Sequence, residues 1–279
     1  MRIRGISHHL ARMRRELGQS MLLGAHRYRV RGYLPNHLAT STNHEPHLMK
    51  PLRRAMSLRP GLVIDVGVNT GQTLLKILSV DSQRPYVGFE PQVGCCFFVN
   101  QFISDNRINN AQVVCIALSD KEHMLPIFSK DQFDEMASLM ESSLKRYEHN
   151  IMKRFVPARC GDAVLNELGI SDIAILKVDV EGAELSVMNG LSGSIARSRP
   201  FCFFEVLPNF VGAQRTFIDA ETAQQNRVAA AGLMRFFDTA DFEIRQIDIA
   251  GAEHVITIFD LDTPSAYRGS DYVAYPRAS

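Results

Sequence analysis

Three short segments gather residues able to do chemistry. The first is Asp65-Val66-Gly67-Val68-Asn69-Thr70-Gly71, which ends the apolar run Leu62–Val66. Glycine lets a ligand approach the backbone because no Cβ intervenes. The helix that follows presents free N–H groups at its start. The second segment is Gly88-Phe89-Glu90-Pro91, with Glu90 19 positions after Gly71. An acid at the end of a second strand can accept hydrogen bonds from both hydroxyls of a ribose. The third runs from Ile175 to Glu184, where an apolar strand ends in Lys177, Asp179, Glu181 and Glu184 around Gly182. Ligands of open α/β sheets react at such strand carboxyl ends. Asp179 is therefore the first candidate for a general base. Glu181 and Glu205 stand behind it, with Lys177 as a counter-ion. His123 and His149 are remoter candidates, and His254 reads as a surface residue.

The turn can be compared with its rivals. A triphosphate-binding loop needs Gly-Lys-Ser/Thr, but Gly71 is followed by Gln72-Thr73. A dinucleotide fingerprint needs G-x-G-x-x-G; here Asn69 takes the second glycine's place and the third is missing. Glu90 argues for an adenosine-bearing cofactor without naming it. A methyltransferase turn fits best, with a nicotinamide-dependent oxidoreductase and a non-catalytic cofactor-binding module as the alternatives.

These segments must be held by a sheet. Strands are expected at Leu62–Val66, Tyr86–Phe89, Gln112–Leu118, Met124–Phe128, Ile173–Val178 and Phe201–Val206. Helices are expected at 48–58, 73–78, 93–103, 160–168, 183–188 and 222–237. Alternation of this kind marks a mostly parallel, doubly wound sheet. Phe242–Ile249 and His254–Phe259, joined by a tight turn, read as an antiparallel pair. The polar stretch 129–158 reads as an active-site cover.

The run of motifs, with Ala117-Leu118-Ser119-Asp120 between the second and third, resembles the FkbM-type methyltransferases over about residues 60–210. The resemblance implies a Rossmann-like class I methyltransferase fold of seven strands, the last antiparallel. It implies S-adenosyl-L-methionine as cofactor and methylation of an oxygen on a sugar, glycolipid or polyketide-like acceptor. Carried over by position, Asp65, Gly67, Asn69 and Gly71 would lie along the methionine part of the cofactor. Glu90 would hold the ribose, Ala117 and Leu118 would lie near the adenine, and Asp179 and Glu181 would face the transferring methyl. Cys95-Cys96 and its aromatic neighbours replace a more polar helix often seen there. No metal is expected, although Asp179 and Glu181 with a hydroxylated substrate offer oxygen ligands that would suit Mg²⁺.

The remaining features frame this core. The hydrophobic share of 46% supplies a sizeable interior, and the net charge of +1 does not suggest a nucleic-acid binder. The charge is uneven: residues 1–60 hold 12 Lys and Arg against two acids. This gives a basic extension over 1–58 and a methyltransferase domain over 59–279. Ile6, Leu10, Met13, Leu17 and Met21 suggest an amphipathic helix over 6–23. Its apolar face would suit a membrane surface, the domain itself or a second copy of the chain in a homodimer. A basic head also points to an acceptor bearing phosphate or carboxylate, or one held at a membrane. Residues 35–47 read as a linker. Five Cys in no paired pattern suit a reducing cytoplasm and small core positions.

Overall fold

The computed structural model describes residues 19–30, 44–129, 152–211, 216–264 and 269–277. The chain opens with a hairpin, β1 (Gln19–Leu23) and β2 (His26–Val30). The expected helix over 6–23 is therefore corrected at its C-terminal end, while residues 1–18 lie outside the described residues. The reason is a period of two: Tyr28 and Val30 are buried while Arg27 and Arg29 face out. Gly24 at φ 57 makes the turn.

A 3₁₀ turn over Pro46–Leu48 leads into α1 (Met49–Leu58). Then come β3 (Val63–Val66), α2 (Gln72–Val80), β4 (Tyr86–Phe89), α3 (Val93–Asp105) and β5 (Ala111–Val114). The expected strand 112–118 is two strands: the chain breaks at Cys115-Ile116, and β6 (Ala117–Ser119) joins a different sheet. There it pairs with β8 (Met152–Cys160), which also pairs with β7 (His123–Ser129). The proposed cover over 129–158 is thus strand from Met152 onward, and 130–151 lie outside the described residues.

The second half continues with α4 (Gly161–Glu167), β9 (Ile175–Val178), α5 (Glu184–Gly190), α6 (Ser192–Ser198) and β10 (Phe201–Glu205). A short pair, β11 (Phe210–Val211) and β12 (Thr216–Phe217), precedes α7 (Ala220–Thr239). The chain closes with β13 (Phe242–Ile247), β14 (Glu253–Val255) and β15 (Asp271–Pro276).

The main sheet has eight strands in the order β14-β13-β15-β10-β9-β3-β4-β5. Strands β5, β4, β3, β9 and β10 are parallel, and β15 enters antiparallel between β10 and β13. This is the expected class I methyltransferase plan. The final antiparallel strand is β15, and β14 adds an eighth strand at the edge. Helices cover both faces, so the central strands are apolar on both sides. Val63, Ile175, Phe203 and Val273 pack with α1, α2, α3 and the hairpin. Their sequence neighbours Ile64, Leu176, Phe204 and Tyr272 pack with α4–α7 on the other face. The hairpin's Leu23, Tyr28 and Val30 belong to that first core. Cys95, Cys96 and Cys202 are buried, while Cys115 is exposed. No described helix is long and apolar enough to cross a membrane.

Candidate active site

The carboxyl ends of β3, β4 and β9 open onto one cavity of about 300 Å³. Gly67 and Asn69 line it from the glycine turn, Glu90 from the end of β4, Ala117 and Leu118 from β6, and Asp179 and Glu181 from the loop after β9. The structure thus gathers seven of the nine anticipated positions into one wall. Asp65 and Gly71 act from behind it.

Gly67 sits at φ 90, and a Cβ there would lie 1.8 Å from the Asp179 carbonyl oxygen. Only glycine lets the first turn run this close to the end of β9. Asn69 has φ 52, a left-handed conformation that Asn tolerates better than most residues, which explains why it can replace a glycine. Its N–H donates to Glu90 Oε2 at 2.7 Å, and the Gln92 N–H donates to Glu90 Oε1 at 2.8 Å. Glu90 therefore ties the ends of β3 and β4 together while facing the cavity. Burial pushes its carboxyl up to about 7, against the pull of those two N–H groups. Gly71, at φ 96, is the N-cap of α2.

Asp65 is fully buried under the turn and accepts a hydrogen bond from Tyr86 Oη at 2.6 Å. Burial raises it to about 6, although Lys177 and Tyr86 oppose the shift. Its position marks it as a support of the turn. Glu184 is a second support: its Oε1 accepts from Val180 N at 3.1 Å and Gly182 N at 3.2 Å. This bond pattern shapes the loop in which Glu181 holds φ 54 and Gly182 φ 107.

At the reacting edge Lys177 Nζ bonds Asp179 Oδ2 at 2.7 Å, as the counter-ion reading expects. Glu205 joins this edge from β10 and accepts from Ser270 Oγ at 2.6 Å. Burial drives its carboxyl well above the ordinary carboxylate range, and Asp179 and Glu181 add to the effect. Asp179, Glu181 and Glu205 each offer an oxygen within 4.8 Å of the others, a spacing that a divalent cation could bridge. His254 is away from this edge, bonded to Asp248 at 2.7 Å. His123 also lies outside the cavity wall. His149 lies outside the described residues.

Sequence reasoning missed two parts of the cavity. One is the apolar pair Leu125 and Ile127 on β7, which line the cavity together with Ala117 and Leu118. The apolar run Met124–Phe128 was a usable signal for a buried strand. The other is His44 and Glu45, which fall within the expected linker 35–47 yet line the cavity. No local pattern announces them.

The cavity fits an adenosine cofactor. It has a turn opened by Gly67, an acid at the end of β4, and apolar side chains from β6 and β7 for a purine. Beyond these lie carboxylates for a cationic end.

The FkbM methyltransferase domain model matches residues 65–244. No curated protein matches the chain. Among solved structures, a methyltransferase FkbM from Methylobacillus flagellatus is 13% identical with a TM-score of 0.45. The alignment covers 77% of this chain and 43% of that one, so the chain spans less than half of that protein's length. An O-methyltransferase from Bacillus cereus in complex with SAH is 11% identical, with a TM-score of 0.43 and coverage of 88% and 84%. A SAM-dependent O-methyltransferase from Thermotoga maritima is 10% identical, with a TM-score of 0.40 and coverage of 94% and 78%.

Proposed function

Because the chain belongs to the FkbM methyltransferase family, we propose that it uses S-adenosylmethionine to methylate a hydroxyl oxygen of a sugar-like acceptor. One observation carries this reading: the glycine turn, Glu90 and the strand-end carboxylates share a single cavity. The cofactor supplies an electrophilic methyl group on a sulfonium. The chain's own residues supply position and a proton acceptor. The turn at Gly67 gives close backbone approach, and Glu90 accepts hydrogen bonds from ribose hydroxyls. Ala117, Leu118, Leu125 and Ile127 give the adenine a dry surface.

An alcohol is a weak nucleophile, so a base beside it lowers the barrier as the new bond forms. Asp179 is that base, with Glu181 as the second candidate. Lys177 holds Asp179 in place, which favours in-line alignment over a mobile carboxylate. The acceptor end carries Asp179 and Glu181, beside the raised carboxyl of Glu205, with a single lysine, Lys177. That charge favours a neutral polyol and disfavours the phosphate- or carboxylate-bearing acceptor suggested by the basic head.

The test has two stages. Titration calorimetry with S-adenosylhomocysteine and with NAD separates the cofactor classes, and absence of binding to the former would sink the reading. Incubation with the radiolabelled methyl donor and a panel of neutral, amino and phosphorylated sugars then reads the acceptor. Label appearing only on nitrogen would refute O-methylation.

A further inference from the structure

The segment ahead of the matched domain contributes a carboxylate to the cavity. Glu45 lines it with His44. Glu45 holds φ 46, and Pro46 follows at the start of the 3₁₀ turn. A non-glycine residue keeps a left-handed backbone only where its surroundings enforce it. Two contacts do so here. Lys76 Nζ donates to Glu45 Oε2 at 2.9 Å, and His47 Nε2 lies 2.7 Å from Asp271 Oδ2. The Lys76 side chain is 1% exposed, so removing Glu45 would leave its buried ammonium without its ion-pair partner. Burial alone would raise Glu45, but His44, Lys177 and Lys76 outweigh it and hold the carboxyl far below the ordinary range. The result is a fixed anion in the cavity wall.

Its location decides what it meets. Lys76 belongs to α2, the helix that the glycine turn opens, and Gln72 and Thr73 from the first turn of α2 line the same cavity. The methionine end of the methyl donor is a zwitterion. Its carboxylate is suited to the N–H groups of a helix start, and its ammonium needs an anion. The α2 side of the cavity offers both, the helix start at Gln72 and Thr73 and the carboxylate of Glu45 held by Lys76.

We propose that Glu45 binds the α-ammonium of the methyl donor's methionine part. This rests on the S-adenosylmethionine reading above. It gives the segment before α1 a role in donor binding, in a region outside the family match.

The experiment compares two ligands by titration calorimetry on the full chain. S-adenosylhomocysteine carries the amino-acid end. 5′-Methylthioadenosine keeps the adenosine and thioether but lacks it. Glu45→Gln should weaken the first by about tenfold or more and leave the second within about twofold. Because Glu45→Gln strands a buried lysine, the double variant Glu45→Gln/Lys76→Met is measured beside it and should show the same split. Unchanged affinity for S-adenosylhomocysteine in both variants overturns the proposal. So does an equal loss for both ligands, which would mark a structural role. Unchanged binding of both ligands with lost methyl transfer also overturns it, in favour of an acceptor contact. If the wild-type chain binds neither ligand, the cofactor reading itself falls, and this proposal falls with it.

Discussion

Glu90→Gln separates two roles that one side chain performs. In the wild type each carboxylate oxygen takes one backbone N–H, from Asn69 at 2.7 Å and from Gln92 at 2.8 Å. Glutamine has a single oxygen, so its amide nitrogen must face one of those donors. A buried donor left without an acceptor costs about 1–3 kcal/mol. The unliganded protein should lose that much stability, read as a lower midpoint in urea. The ligand side is separate. A ribose hydroxyl can donate to a carboxylate but not to the amide nitrogen, and a charge-assisted hydrogen bond is worth about 1.5–3 kcal/mol. Affinity for S-adenosylhomocysteine should therefore drop roughly 10- to 150-fold. Calorimetry and denaturation on the same preparation give both numbers. A variant that loses stability but binds as wild type would refute the ribose role and leave Glu90 as a brace for the turn. A variant unchanged in both would refute the hydrogen-bond argument itself.

Other expectations follow from the same contacts. Gly67→Ala places a methyl 1.8 Å from the Asp179 carbonyl oxygen at φ 90, so the turn must part from β9. It should cost about 2–6 kcal/mol in denaturant unfolding and remove S-adenosylhomocysteine binding. Asp179→Asn leaves Lys177 with a neutral partner, so it should destabilise by about 1–3 kcal/mol as well as stop methyl transfer. Adding Lys177→Met should recover the stability and not the activity. Asp65, Glu90 and Glu184 are raised to about 6, 7 and 7 from 3.8, 4.5 and 4.5. The folded state therefore binds more protons than the unfolded one across that window, and these groups should make stability fall as pH rises from about 4 to 7. Urea midpoints that rose steadily over that range would contradict this. Ribose hydrogen bonds favour ionised Glu90, so S-adenosylhomocysteine binding at about pH 6 should release close to one proton. Calorimetry in buffers of different ionisation enthalpy would detect it, and zero release would count against Glu90 as the ribose acceptor.

The sequence by itself determined the parts whose chemistry is local. The turn Asp65–Gly71, Glu90 after its strand and the cluster after β9 were legible because each joins a short apolar run to residues that only a ligand-facing loop needs. The central strands were legible because burial on both faces makes them almost entirely apolar, as in Tyr86–Phe89. Tertiary structure decided the rest. The strand β15 escaped notice because Asp271–Pro276 mixes polar and apolar residues and ends in Pro276, and its place is set only by insertion between β10 and β13. The run 112–118 looks like one strand, but its two halves pair with different sheets. The segment 6–23 shows helical spacing, yet its last residues pair across Gly24 and bury alternate side chains. Within the site, the bond between Glu45 and Lys76 spans 31 positions and that between His47 and Asp271 spans 224. Local pattern encodes conformation and polarity. Which carboxylates converge at the edge of a sheet depends on how distant strands are ordered across it, and that order is settled only when the whole chain packs.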